Sequence, residues 1–170
     1  MIKALVKAVI LLLVTTVACA KPYNVEVILT KVVAQKPVSA DGDRIYVDIA
    51  AYPASGSPQI LREPMFPMHW LTKELPQIKN VKLWEGTIKD EDSVLLVFSL
   101  IDQVLPTLDD ALLGSARVEI SNRNKQLQTK WDQPKYADQP RVDQIDGKPS
   151  YIMYGESAQY AVDFAVKINP

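Results

Sequence analysis

The segment Tyr160-Ala161-Val162-Asp163-Phe164-Ala165-Val166-Lys167-Ile168 alternates without a break: Tyr160, Val162, Phe164, Val166 and Ile168 share one parity, and the other holds small or charged residues. Successive side chains of an extended chain point to opposite faces, so this pattern specifies a strand with one buried face. Ile45, Val47 and Ile49 alternate with Tyr46, Asp48 and Ala50 in the same way, as do Ala116, Val118 and Ile120 with Arg117 and Glu119. The run Val94 to Phe98 is apolar on both parities, which predicts a central strand over Ser93 to Ile101 with both faces covered. Val25 to Val33, Val81 to Ile88 and Leu127 to Trp131 are further strand candidates. Asp41-Gly42-Asp43, Lys89-Asp90-Glu91-Asp92, Asn122-Arg123-Asn124 and Asp146-Gly147-Lys148 supply the turns between them. Trp70 to Lys79 supports at most a turn or two of helix, because Pro76 interrupts it. The chain is therefore read as all-β, an antiparallel β-sandwich of about seven to eight strands.

Two stretches break the rhythm. Tyr52 to Pro67 carries Pro53, Pro58, Pro64 and Pro67 and reads as a long connection crossing between sheets. Asp132 to Ser150 carries Pro134, Pro140 and Pro149 and reads as an extended surface loop. Neither demands a second domain, and residues 23–170 form one unit of about 150 residues, enough for a real core.

The N-terminus has its own logic. Lys3 and Lys7 precede the apolar run Ala8 to Val17, which ends in Ala18-Cys19-Ala20. A basic head, an apolar stretch and small residues at a cut site make a secretory leader, and the run is too short for a spanning helix. Ordinary signal-peptidase cleavage would start the mature protein at Lys21. Thr16-Val17-Ala18-Cys19 instead resembles the lipobox of bacterial lipoproteins, with Thr16 in place of the usual leucine. On that reading residues 1–18 are the signal peptide, Cys19 carries covalent lipid and 19–22 form a short tether. Cys19 is the only cysteine and has no disulfide partner. Each buried CH₂ of an acyl chain contributes about 0.8 kcal/mol, so several chains make a lasting anchor. Ala20, rather than an aspartate, implies by the same resemblance the outer membrane, with the domain facing the periplasm.

Removing Lys3 and Lys7 leaves 17 of the 19 basic residues against 20 acidic ones, a net charge of −3. No concentrated positive field exists of the kind that binds nucleic acid.

Three blocks in the centre of the chain resemble a C2 domain: Val81-Lys82-Leu83-Trp84-Glu85-Gly86, then Ser93 through Asp102, then Asp109-Asp110-Ala111-Leu112-Leu113-Gly114 leading into Ser115 to Val118. Gly155-Glu156-Ser157-Ala158-Gln159-Tyr160, ahead of the last strand, is similar to the end of that family. The resemblance implies a C2-like sandwich and weighs little on function, since one fold hosts many activities. Calcium-binding members gather carboxylates from loops at one end, because a hard cation takes six to eight oxygens. Asp102 with Asp109 or Asp110 matches the outer acids of one such loop, but Val104 stands where the middle acid belongs. Asp43 matches a position in the other loop, where Pro37 replaces its partner and Asp41 substitutes imperfectly. These acids otherwise read as turn residues bonding their own backbone. Neither a calcium site nor any other cofactor is expected.

Catalytic groups are sparse. His69 is the sole histidine, Ser55-Gly56-Ser57 lacks the strand-turn-helix setting of a nucleophile elbow, and no glycine-rich phosphate loop is present. Phe66, Met68, His69 and Trp70 form a dense cluster that is read first as core, because such side chains usually bury most of their area, and otherwise as a docking patch of Phe66, Met68 and Trp70. Arg117, Arg123, Lys125 and Lys130, with Glu119 among them, read as a solvated strand face. The function expected is a non-enzymatic protein-binding or scaffold module of an envelope assembly such as a secretion apparatus. The alternatives are a peripheral lipid- or calcium-responsive module and, more weakly, a carboxylate-based hydrolase.

Replacing Cys19 by Ser should move the protein from the membrane to the soluble periplasmic fraction. A wild type that is soluble, unmodified and begins at Lys21 would contradict the lipid anchor.

Overall fold

The computed structural model describes residues 21–39, 41–104, 110–135 and 138–169. Cys19 and Asp109 lie outside the described residues. Among the described residues eleven strands form two antiparallel sheets packed together as a β-sandwich. One sheet has the order β5 (Val81–Ile88), β1 (Tyr23–Lys36), β11 (Gln159–Asn169), β10 (Ser150–Tyr154) and β9 (Arg141–Gln144). The other has the order β3 (Gln59–Glu63), β2 (Arg44–Pro53), β6 (Ser93–Asp102), β7 (Ala111–Arg123) and β8 (Gln126–Asp132), with β4 (Trp70–Leu71) also pairing to β2.

The alternating residues meet between the sheets. Val25, Val27, Leu29 and Val32 of β1 and Tyr160, Val162 and Phe164 of β11 face Ile45, Val47 and Ile49 of β2, Leu96 and Phe98 of β6, and Val118 and Ile120 of β7, all buried. Phe98 and Phe164 meet across the gap with ring centroids 5.1 Å apart, and Trp131 lies 5.6 Å from Phe164. Such tilted and offset aromatic contacts favour one packing over its neighbours. A Cβ on Gly114 would sit 2.8 Å from Met153 and 2.9 Å from Val142, so β7 approaches β9 and β10 closely only because this residue has no side chain.

Three sequence expectations need correction. Tyr52 to Pro67 does not cross between sheets: its residues Gln59–Glu63 turn back as β3 along the β2 edge, with Ala51 opposite Gln59 and Val47 opposite Glu63. The crossing comes later, in the 3-10 turn Thr72–Gln77, which contains Pro76. Asp132 to Ser150 is not one loop either, because Arg141–Gln144 pairs with β10 in a hairpin closed by the positive-φ pair Asp146-Gly147. Strand β6 is central, but only one face is fully covered. Val94, Leu96, Phe98 and Leu100 are buried, whereas Leu95, Val97 and Ile101 are half-buried. Flanking side chains shield them in the plane of the sheet, as Tyr52 and Glu119 do for Leu95 and Ala50 and Arg117 do for Val97.

The strand ends define two poles. Tyr23 at the start of β1, Ile88 at the end of β5, Asn169, and the Asn122-Arg123-Asn124 turn lie at one pole, where the Tyr23 hydroxyl donates to the Lys125 carbonyl at 2.9 Å. Lys36, Arg44, Asp102, Ala111 and Gln159 mark the other.

Phe98 is fully buried, so Phe98→Ala should cost about 3–5 kcal/mol in denaturant melts. Arg123→Ala, on the exposed turn, should cost no more than about 0.5 kcal/mol. A parent-like melt for Phe98→Ala would contradict the packing described.

Candidate functional site

The pole away from Tyr23 concentrates most of the unusual chemistry. Asp43 is buried at the start of β2. Its carboxylate accepts the Val38 and Ser39 N–H groups at 2.8 Å each and the Tyr160 hydroxyl. Its backbone N–H donates to Thr72 Oγ1 at 2.7 Å, and its carbonyl accepts the Thr72 N–H at 3.1 Å. Asp102, 5% exposed, accepts the Arg44 N–H at 2.9 Å. The Tyr46 hydroxyl donates to Asp110. Asp41 lies exposed in the turn, its N–H donating to Ser39 Oγ at 3.2 Å. Of the described acids named above as calcium candidates, Asp43, Asp102 and Asp110 are thus held one by one by backbone or phenol donors, and Asp41 stays in its exposed turn. Among the described residues no group of three or more His, Cys, Asp and Glu side chains converges as a metal site requires.

Burial governs the protonation of this pole. Burial pushes the Asp102 carboxyl up, the Arg44 N–H opposes this, and the negative charges of Asp43 and Asp110 add to it. Burial likewise raises Asp48, against the pull of Arg62 and with the help of Asp110. The Tyr46 and Tyr160 phenols stay protonated far beyond neutrality, through burial first and then the hydrogen bonds to Asp110 and Asp43.

On the edge of β2 the chain makes a bulge. Pro64 and Pro67 have no N–H to give to a sheet, so the segment between β3 and β4 leaves the β2 edge and closes on itself through Met68 N–H to Met65 O at 2.9 Å. Arg62 holds the bulge down. Its guanidinium stacks on the Tyr46 ring at 3.5 Å, lies 5.4 Å from the Phe66 ring and donates to the Met68 carbonyl at 3.3 Å. The apolar side chains point out: Met65 is 77% exposed, Phe66 72% and Met68 65%. The reading of Phe66 and Met68 as core is therefore wrong, since the bulge carries them off the sheet. Trp70, back in register opposite Ile45, is half-buried and packs on the core. Ile60, 70% exposed on β3, extends the patch, and neither it nor Met65 was among the candidates of the sequence. The two prolines flanking Met65-Phe66 were the available signal.

Two concavities flank this pole. One, of about 600 Å³, is lined by Val38, Asp102, Val104, Leu112, Leu113 and Tyr154 among others. The larger, of about 920 Å³, opens between the β8 and β9 edges. Its charges face one another: Arg117 clasps Asp132 through two bonds of 2.6 Å, and Arg141 clasps Asp143. Arg123 pairs with Glu91 at 3.2 Å and Lys130 lies opposite Glu119 in register, so acids stand among the basic residues of this strand face.

No protein-family model matches the chain, and no curated protein matches it in sequence.

Asp48 and Asp102 bind protons more tightly in the folded than in the unfolded chain. The folded state therefore takes up protons first as pH falls, and stability rises from neutrality down to about pH 4, near the ordinary carboxylate value. Asp132, pulled down by Arg117, acts in the opposite sense and only below that range. The urea midpoint should be higher at pH 5 than at pH 7.5, and Asp48→Asn with Asp102→Asn should reduce the difference to the part that Glu63, also raised by burial, contributes. A wild-type midpoint that falls over this interval would contradict the assignment.

Proposed function

We propose that this protein is an exported, lipid-anchored module with a C2-like sandwich that binds a protein partner of an envelope assembly, without catalysis, through the pole opposite its anchor. The observation that carries the reading is the outward cluster of Met65, Phe66 and Met68, held in place by Arg62 rather than left as a loose loop. Exposed apolar residues scattered singly need no explanation, whereas a contiguous group marks a contact surface. Methionine and phenylalanine suit that role, because flexible thioethers adapt to a partner's shape and aromatic rings supply area.

The chain outside the described residues says which kind of occupant fits. A lipid on Cys19 would leave residues 19–22 as a tether of at most about 14 Å, joined to β1 at Tyr23. Along β2 the bulge lies beyond Val47, about 20 Å from the level of Pro53 at ~3.3 Å per residue. A domain standing on its tether holds the patch well clear of the bilayer, where a protein surface rather than lipid meets it. The partner chemistry is an apolar segment, presented by another envelope protein.

The test uses the protein extracted from cells in mild detergent and a co-purifying partner that has been identified and rebound as pure protein. Phe66→Glu with Met68→Glu should leave the melting curve unchanged and weaken rebinding at least tenfold, about 1.4 kcal/mol. Unchanged rebinding would overturn the proposal. So would insertion of wild-type Phe66 into vesicles of anionic lipid, which would support a peripheral lipid-responsive module instead.

A further inference from the structure

The smaller concavity at this pole has the make-up of a binding pocket. Its walls are apolar, from Val38, Val104, Leu112, Leu113, Pro140 and Tyr154. Its charged groups are of one sign: Asp102, Asp138 and Glu156 line it beside the neutral Gln139 and Ser157, and no lysine or arginine does. Asp138 and Glu156 are exposed, so they need no partner, but Asp102 is 5% exposed and is a different case. Among the described residues the Arg44 N–H, on Oδ1, is the one donor that reaches its carboxylate. A buried carboxylate ordinarily satisfies several lone pairs or stays protonated. Here a carboxylate whose one described protein donor is a backbone N–H sits against a cavity of about 600 Å³, large enough for an extended side chain.

From this juxtaposition we propose that the pocket takes the cationic side chain of the docking partner, a lysine or arginine whose apolar stem lies along Leu112, Leu113 and Tyr154 and whose head meets Asp102, with Asp138 and Glu156 beside the entrance. The shape of such side chains fits the lining, since they bury a hydrocarbon stem while keeping a charged tip in polar company. Charge fits as well, because a cation brought to Asp102 offsets the mutual repulsion of Asp43, Asp102 and Asp110. A hard dication fits less well: three acids of which two are exposed, with apolar groups between them, do not make the six to eight oxygens that calcium takes. The pocket lies two to three strand spacings from the bulge, about 10–14 Å at ~4.8 Å each, so one partner surface spans both.

This inference rests on the docking reading only for the source of the cation, and its test needs no partner. Amide spectra of the detergent-extracted protein would be followed during titration with three probes: Nα-acetyl-lysine methylamide, the neutral Nα-acetyl-norleucine methylamide, and calcium chloride. The lysine probe should shift the amides of Leu112, Leu113, Tyr154 and Glu156 with a Kd in the millimolar range, and the norleucine probe should bind at least tenfold more weakly. Glu156→Gln with Asp138→Asn, both on exposed positions that leave the fold intact, should weaken the lysine probe several-fold. Asp102→Asn, which keeps an acceptor for Arg44, should abolish the preference for lysine over norleucine. Equal binding of the two amides would make the pocket merely apolar, calcium shifts at the same residues would make it a metal site, and no shifts with any probe would remove it as a site. Each of these results overturns the inference. All three leave the Phe66 and Met68 docking experiment standing, so the two proposals fail separately.

Discussion

The carboxylate of Asp43 joins parts of the chain that belong to different sheets. Through its oxygens it holds the backbone of the β1–β2 turn at Val38 and Ser39 and the hydroxyl of Tyr160, which belongs to the opposite sheet. Through its backbone it holds Thr72, where the chain leaves β4 and crosses to β5. One buried side chain thus fixes the sheet-to-sheet position, the entry to β2 and the crossing turn. Removing it would leave the buried Tyr160 hydroxyl without its acceptor, at about 1–3 kcal/mol, and release the turn at Val38 and Ser39 as well. The features of the far pole follow from that fixed frame. β2 starts in register, β4 can lie against Arg44 and Ile45, and the bulge between β3 and β4 is held at a set height above the Tyr23 pole.

The same frame explains how the described acids of this pole are held apart. Asp43, Asp102 and Asp110 are each aimed at a separate donor, on β1–β2, β2 and Tyr46 respectively. Their job is to terminate strands that reach the surface with unpaired backbone groups, which a short side-chain acceptor does well. The cost is a concentration of negative charge in a poorly solvated place, and it is largest at Asp102, where a single backbone donor faces a carboxylate that also borders open space.

The long strands were legible because each has many turns of the period-two pattern and one buried face. Tyr160 to Ile168, Ile45 to Ala50 and Ala116 to Ile120 could hardly be read otherwise. The short ones were not. β3 has Ile60 and Leu61 adjacent and both exposed, so it shows no alternation, and β9 buries only Val142. Register on an edge comes from the neighbour it pairs with, which a local pattern does not contain. Asp43 was visible as an acid in a turn, but its bond to Tyr160 spans residues at opposite ends of the domain. Phe66 and Met68 were misread because residue type was weighed above the two prolines, which remove the donors that would have kept the segment on the sheet.

The proposal is directional: a lipid on Cys19 would bring one pole to the membrane and leave the other to meet protein. Site-specific photo-crosslinking in intact cells tests it most directly, with the reactive group placed in turn at Phe66 and at Asn124. The account predicts a discrete protein adduct from Phe66 and none of that adduct from Asn124. Lipid adducts from Phe66, or the same protein adduct from both positions, would contradict it.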